Sequence, residues 1–192
     1  MRDESKNIAG ASQFQSTKAT ARRLVSMAVV LLGFCCVLSC NRLPKVIIPK
    51  ELQDPEYVID KNGLVDGYSF RIDQKKFIQF NTVGGLDYML SDTPSHKIDT
   101  IIANNPDWEF VFVVAMPLKD SLRLRSVLDS HGCDFPVIVD TENVFAKKNG
   151  LGKLTAVGWF CDGNNRSHGI GCIGTPKSSF DQRFPRIKRQ IK

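Results

Sequence analysis

The chain has 192 residues, of which 42% are hydrophobic and 24% are charged, as in an ordinary globular protein. Its 26 basic and 20 acidic residues give a formal net charge of +6. Five basic and two acidic residues precede position 40, which leaves 21 basic and 18 acidic residues after it. The resulting net charge of +3 is too small to indicate a nucleic-acid partner, and we predict none.

A short apolar segment follows two adjacent arginines near the N-terminus. Arg22 and Arg23 precede a charge-free run from Leu24 to Ser39. A basic region, a short apolar region and a small final residue are typical of a secretory signal peptide. The run is shorter than the ~20 residues that cross a bilayer comfortably. An uncleaved membrane anchor is the alternative interpretation.

Cys40 directly follows this apolar segment. The sequence Val37-Leu38-Ser39-Cys40 resembles the bacterial lipobox, in which an aliphatic residue and a small residue precede a cysteine that accepts a diacylglyceryl group. We therefore predict that residues 1–39 are a lipoprotein signal peptide. Cys40 then carries the acyl chains, such as palmitate, and makes the membrane a partner. The resemblance implies a periplasmic or other cell-envelope location, outside the cytoplasm.

The residues after Cys40 are typical of a linker. Residues 41–55 contain three prolines and no helical period. We predict that residues 40–55 are a lipid anchor and tether. Residues 56–192 are then one globular domain, which is long enough to bury a core of its own.

The hydrophobic pattern of residues 56–192 predicts alternating strands and helices. We expect extended segments at 56–60 and 68–72, strands at 77–80, 109–115, 136–140, 155–161 and 168–173, and helices at 97–105, 120–131, 142–149 and from 178. Thr141 is expected to cap the third helix and Gly150 to end it. Helices between strands imply crossover connections and a sheet covered on both faces.

The last predicted helix has two distinct patterns. Four apolar residues fall on one face: Phe180, Phe184, Ile187 and Ile191. Pro185 lies among them and should kink or delay the helix. Five basic residues occupy the last ten positions: Arg183, Arg186, Lys188, Arg189 and Lys192. This pattern is typical of a solvated helix face. The alternative is a patch that faces anionic lipid headgroups.

Three segments of the chain resemble the thioredoxin superfamily. They are VFVVA at 111–115, DFPVIVDTENVFAKKNGL at 134–151 and FCDGNNRSHGIGCIGTP at 160–176. Their order is similar to that of the TlpA-like, membrane-tethered periplasmic thiol–disulfide oxidoreductases. The resemblance implies an α/β fold with a thioredoxin-like central mixed sheet flanked by helices, and it covers residues 75–192.

The catalytic elements of that superfamily are missing from this chain. The resemblance places a Cys-x-x-Cys motif between the first central strand and its helix, where the helix N-terminus lowers a thiol pKa. The equivalent residues 81–88 contain no cysteine, and Lys153-Leu154-Thr155 replaces the proline that is usually cis. We therefore expect a non-catalytic binding or scaffold module, without a cofactor, whose partner is an envelope protein.

Three further cysteines, Cys133, Cys161 and Cys172, follow Cys40. In the expected hairpin register Cys161 faces His168 rather than Cys172, which disfavours a bond between the two cysteines. Three buried thiols are one interpretation, and one disulfide with a remaining free thiol is another. A single-thiol redox protein that uses one of these cysteines is the third, and it requires an exposed thiol of low pKa.

The run His131-Gly132-Cys133-Asp134 places three metal-ligand residue types close together. A metal site needs three or four converging ligands, and no second cluster of such residues stands elsewhere in the sequence. We therefore predict neither a metal site nor a catalytic residue.

Overall fold

The structure is a computed structural model that describes residues 44–71, 73–174 and 179–191. The predicted signal peptide and Cys40 lie outside the described residues. Among the described residues, no helix is both long and apolar enough to cross a membrane.

The described elements follow one another in an α/β order. The strands are β1 (Val58–Asp60), β2 (Gly63–Leu64), β3 (Lys75–Thr82), β4 (Trp108–Ala115), β5 (Val137–Asp140), β6 (Ala156–Cys161) and β7 (Ser167–Gly171). The helices are α1 (Lys50–Gln53), α2 (Val83–Asp92), α3 (Ser95–Ala103), α4 (Ser121–Ser130), α5 (Val144–Asn149) and α6 (Ser179–Gln190), with a 3-10 turn at Leu118–Asp120.

The described strands form one mixed sheet in the order β2-β1-β5-β4-β3-β6-β7. Strands β3, β4 and β5 are parallel, because a helical crossover separates each from the next. Strands β1, β6 and β7 join antiparallel to their neighbours. The expected central mixed sheet flanked by helices is confirmed.

The central strands are buried on both faces, as their near-continuous apolar sequences predict. Successive residues of β3 alternate between the two sides: Phe77 belongs to one core cluster and Ile78 to the other. The first cluster includes Phe112, Phe160 and the apolar side of α6. The second includes Val113, Phe145 and Trp159.

Helix α6 has the predicted apolar face. Phe180, Phe184, Ile187 and Ile191 are all buried. The Phe180 and Phe184 rings stack at 4.8 Å between centroids, and Phe180 also packs edge-on against Phe77 at 4.8 Å. Pro185 lies inside the helix and neither delays its start nor ends it. The buried side chains on both sides of the proline hold the two parts of the helix on the sheet.

The helix α2 was missed by the sequence pattern, which predicted only the helix that follows it. Gly84 and Gly85 lower the helix propensity of its first turn. Tertiary contacts outweigh that cost, because Val83, Leu86 and Met89 are buried. In contrast, the predicted extended segment at 68–72 contains no strand in its described part, residues 68–71.

The predicted cap of α5 was also wrong. The carboxylate of Asp140, not Thr141, accepts hydrogen bonds from the backbone N–H groups of Val144 and Phe145, both at 2.8 Å. Because β5 ends at Asp140, the strand itself supplies the group that starts the helix. Gly150 ends the helix as predicted, with a φ of 65°.

The described domain begins at Pro44, within the segment 40–55 for which the sequence predicts an anchor and tether. Val46 and Leu52 are buried in the second core cluster. The Ile47 N–H donates to the Asn149 side chain, and the Asn149 amide donates to the Ile47 carbonyl, both at 2.8 Å. Packing of alternate apolar residues therefore overrides the linker-like composition.

Truncation of Leu52 tests this boundary. Leu52 is 4% exposed, and the Leu52→Ala substitution should lower the free energy of unfolding by about 2–4 kcal/mol. Leu122 is 78% exposed, so the matched Leu122→Ala substitution should change it by less than about 0.5 kcal/mol. Urea unfolding measures both, and an equal, small effect would show that residues 44–55 do not pack on the domain.

Candidate functional site

The position at which the resemblance places a dithiol lies where β3 runs into α2. Strand β3 ends at Thr82 and the helix begins at Val83, with no intervening loop residue. The Thr82 hydroxyl accepts a hydrogen bond from the Gly85 N–H at 3.1 Å. A capping hydroxyl thus occupies the helix N-terminus, where a thiolate would otherwise be stabilised.

The segment before β6 is pressed against this helix N-terminus. The Thr155 carbonyl accepts a hydrogen bond from the Thr82 N–H at 2.9 Å. A Cβ atom built on Gly85 would lie 2.3 Å from the same carbonyl oxygen. No real side chain tolerates such a contact with backbone, so only glycine fits. A cysteine at this position would require the chain around Thr155 to move.

The buried Gln79 amide on β3 forms hydrogen bonds with the chain after β7. The Ile173 N–H donates to Gln79 Oε1 at 3.0 Å, and Gln79 Nε2 donates to the Ile173 carbonyl at 3.3 Å. This paired contact holds the chain after β7 against β3. Sequence reasoning missed Gln79, although polar residues at 79 and 81 of an apolar strand are an available signal.

Asn81, two residues further along β3, is also fully buried. Its Nδ2 atom has no hydrogen-bond partner among the described residues. Its Oδ1 atom lies 3.4 Å from Gln79 Nε2. Buried amides without a partner are uncommon, and this one marks the interior beneath the helix N-terminus as polar.

Exposed apolar side chains lie near the contact between Gly85 and the Thr155 carbonyl. Tyr88 of α2 is 57% exposed, and Leu154, next to Thr155, is 52% exposed. Gly84 shares a helix face with Tyr88, four residues on, and is also exposed. These groups offer exposed apolar contact area beside the contact between Gly85 and Thr155.

The structure does not bring the three described cysteines together. Cys133 follows α4, Cys161 ends β6 and Cys172 follows β7, and Cys133 and Cys161 are free thiols. The pairing of Cys161 with Ser167 places Cys161 and Cys172 at opposite ends of β7. A hairpin disulfide between them is therefore incompatible with the observed register.

Burial raises the pKa of each of these thiols. The pKa is about 12 for Cys133, about 12 for Cys161 and about 11 for Cys172. The Lys76 ammonium acts in the opposite direction on Cys161, but desolvation outweighs it. The single-thiol alternative requires an exposed thiol of low pKa. Cys133 and Cys161 are buried, Cys172 is half-buried, and the pKa of each is raised.

A second buried polar cluster lies where β3 and β4 begin. Lys76 donates to the Asn165 side chain at 3.0 Å. Both Glu109 oxygens accept from the Arg71 N–H at 3.1 Å. Burial lowers the pKa of Lys76 and raises the pKa of Glu109, and the opposite charges of these neighbours partly offset both shifts. The cluster fixes the β6–β7 turn and the segment before β3.

The 131–134 run does not form a ligand set. His131 Nε2 lies 2.9 Å from the Asp87 carboxylate, Asp134 pairs with Lys61, and Cys133 is buried in the core. In the part of the chain that the structure describes, no three histidine, cysteine, aspartate or glutamate residues converge as metal ligands.

Comparison with solved structures identifies the fold. A putative thiol:disulfide interchange protein DsbE from Chlorobium tepidum matches with a TM-score of 0.50 and 13% identity over 76% of this chain and 97% of that one. A thiol-disulfide oxidoreductase from Bacteroides fragilis matches with a TM-score of 0.50 and 7% identity over 70% and 98%.

A thioredoxin-like protein in its oxidized form also matches, with a TM-score of 0.50 and 13% identity over 79% of this chain and 98% of that one. No family model and no curated protein matches the chain. At these identities the likeness concerns the fold alone. The described domain has a thioredoxin-like fold.

Alanine substitutions at two neighbouring glycines test the contact between Gly85 and the Thr155 carbonyl. Nothing lies within 4 Å of a Cβ atom on Gly84, so Gly84→Ala should raise the free energy of unfolding by about 0.5–1 kcal/mol through helix propensity. Gly85→Ala should lower it by about 2 kcal/mol or more, because its methyl group meets the Thr155 carbonyl. Equal stabilisation in urea unfolding would mean that the Thr155 segment does not close on the helix.

Proposed function

We propose that this chain is a lipid-anchored protein of the bacterial cell envelope, whose thioredoxin-like domain binds a protein partner and does not catalyse thiol–disulfide exchange. The observation that carries the proposal is the contact between the Thr155 carbonyl and Gly85. This contact occupies the place where the exchange reaction would need a thiol.

The chemistry of disulfide exchange supports this reading. The attacking species is a thiolate, and a second thiol must resolve the mixed disulfide. A thiol with a pKa of about 12 is ionised to roughly one part in 10⁵ near pH 7. The three described thiols are separated from one another, so none of them can resolve a mixed disulfide formed on another of the three.

The surface around the start of α2 supports a binding role. Tyr88 and Leu154 expose apolar area close to the capped start of α2. Tyrosine is enriched among the residues that anchor protein–protein contacts. The solved structures with this fold are named for thiol–disulfide exchange, and this chain keeps the fold without the dithiol.

The envelope location rests on the sequence before Pro44. Arg22 and Arg23, the apolar run 24–39 and Cys40 follow one another in the order of a lipoprotein signal. A diacylglyceryl group with an additional acyl chain gives firm membrane attachment, because one chain alone binds only reversibly.

Insulin reduction in the presence of dithiothreitol tests the catalytic part of the proposal. The full chain should not shorten the lag before turbidity appears, because it presents no reactive thiol pair, whereas a Cys-x-x-Cys oxidoreductase in the same assay should. The Cys133→Ala, Cys161→Ala and Cys172→Ala variants should behave like the parent chain. Rapid turnover that one of these variants abolishes would contradict the proposal.

Metabolic labelling with palmitate tests the anchor. A Cys40→Ala variant should lose the label and leave the membrane fraction, because it lacks the acceptor thiol. Cys36→Ala is the matched control, since Cys36 lies inside the predicted signal peptide and should not affect labelling. Unchanged membrane association of Cys40→Ala would instead identify residues 24–39 as an uncleaved anchor.

A further inference from the structure

We propose that the basic face of α6, defined by Arg183, Arg186, Lys188 and Arg189, docks the domain on the anionic headgroups of the membrane that carries it. This inference rests on the proposed anchor at Cys40 and adds an orientation to it. The C-terminal turns of α6 lie at the end of the sheet where β3 and β4 begin.

Helix α6 presents its basic residues outward because its apolar residues face the core. All four basic side chains are exposed. The helix carries one acidic residue, Asp181, and therefore a net charge of +3. This equals the net charge of the whole chain after position 39, so the positive excess is concentrated on one helix.

The guanidinium charges on this face are not neutralised by described carboxylates. None of the ion pairs among the described residues involves Arg183, Arg186 or Arg189. Arg183 donates to the Ile170 carbonyl at 2.8 Å, and Arg189 donates to the Pro185 carbonyl at 3.1 Å. These bonds orient the side chains and leave their positive charge in place.

The C-terminal part of α6 lies at the end of the sheet where β3 and β4 begin. Lys188 donates to the Asn105 side chain at 2.6 Å, and Asn105 stands three residues before β4 starts at Trp108. Lys75, the first residue of β3, pairs with Trp108 and lies at the same end. The basic face therefore extends to this end.

The chain enters the described domain at the same end. The Ser167 N–H donates to the Pro44 carbonyl at 2.8 Å, and Ser167 begins β7 opposite Cys161, which ends β6. Because Cys161 lies next to Lys76 near the start of β3, Pro44 is at the end defined above. Helix α6 packs directly on β7, where Ile187 lies against Gly169.

The short connection to Cys40 keeps this end close to the membrane. Only residues 41–43 separate Cys40 from Pro44, and four extended residues span at most about 14 Å. Exposed Lys45 and Arg166, which form a β-bridge at the entry point, add two positive charges. The described acidic groups nearby include Asp107, 3.9 Å from Lys188, and Asp162, which pairs with His168.

These positions favour a lipid surface over a soluble polyanion. The C-terminal turns of α6 and the entry point at Pro44 lie at one end of the sheet, although α6 packs in the first core cluster and Val46 in the second. Each basic residue near an anionic surface strengthens binding by about fivefold.

The test uses the full lipidated chain in nanodiscs of phosphatidylcholine, with or without phosphatidylglycerol. An environment-sensitive dye is attached to a Gln190→Cys variant, in a Cys172→Ser background that removes the partly exposed native thiol. The dye should shift to shorter emission wavelength in the anionic discs, and high salt should reverse the shift because it screens the charges.

Two triple variants separate this surface from net charge. Combined Arg183→Gln, Arg186→Gln and Arg189→Gln should abolish the shift, lowering the docked-to-undocked ratio about 100-fold. The control combines Lys119→Gln, Arg123→Gln and Lys153→Gln, which remove the same charge from exposed positions at the other end of the sheet. The control should keep the shift, and thermal unfolding checks that both variants fold.

The outcomes separate this inference from the proposed anchor. Retention of the chain by the discs, measured by gel filtration, reports the anchor, and its loss would overturn both proposals. Retention with equal dye emission in the two lipids would overturn the docking surface alone. An equal shift on adding heparin to the phosphatidylcholine discs would assign the surface to a soluble polyanion and overturn the lipid assignment.

Discussion

The contact between the Thr155 carbonyl and Gly85 is the constraint on which the proposed function depends. It joins the end of β3, the start of α2 and the segment before β6 at one point. In a thioredoxin-like fold with a dithiol, that point would have to hold a thiol and admit a disulfide. Here a threonine cap and a glycine contact fill the space, so the fold is retained and the position is closed.

The two ends of the sheet consequently differ in chemistry. The end where β3 finishes exposes apolar side chains around a capped helix and holds no described thiol that can ionise near neutral pH. The end where β3 begins holds the buried Lys76 and Glu109, the entry of the chain at Pro44, and the basic turns of α6. We propose that the first end contacts a protein and that the basic face of α6 contacts an anionic membrane.

The sequence predicted the strands and α6 well, because their apolar residues recur with the period of the element. It missed α2 because two glycines mask a helix that tertiary contacts stabilise. It assigned the cap of α5 to Thr141, although the Asp140 carboxylate accepts the hydrogen bonds from the first N–H groups of the helix. The packing of Val46 and the contact of Gly85 with Thr155 depend on partners about 120 and 70 residues away, which a local pattern does not encode.

The most direct measurement is the alkylation rate of each cysteine in the native, detergent-solubilised full chain, followed by mass spectrometry from mildly acidic to alkaline pH. The rate follows the thiolate fraction, so thiols with a pKa of about 11 to 12 should stay unlabelled near neutral pH. Cys172, the least buried, should react first and only as the pH becomes strongly alkaline. Complete labelling of Cys133, Cys161 or Cys172 at mildly acidic pH, while the protein remains folded, would contradict the account.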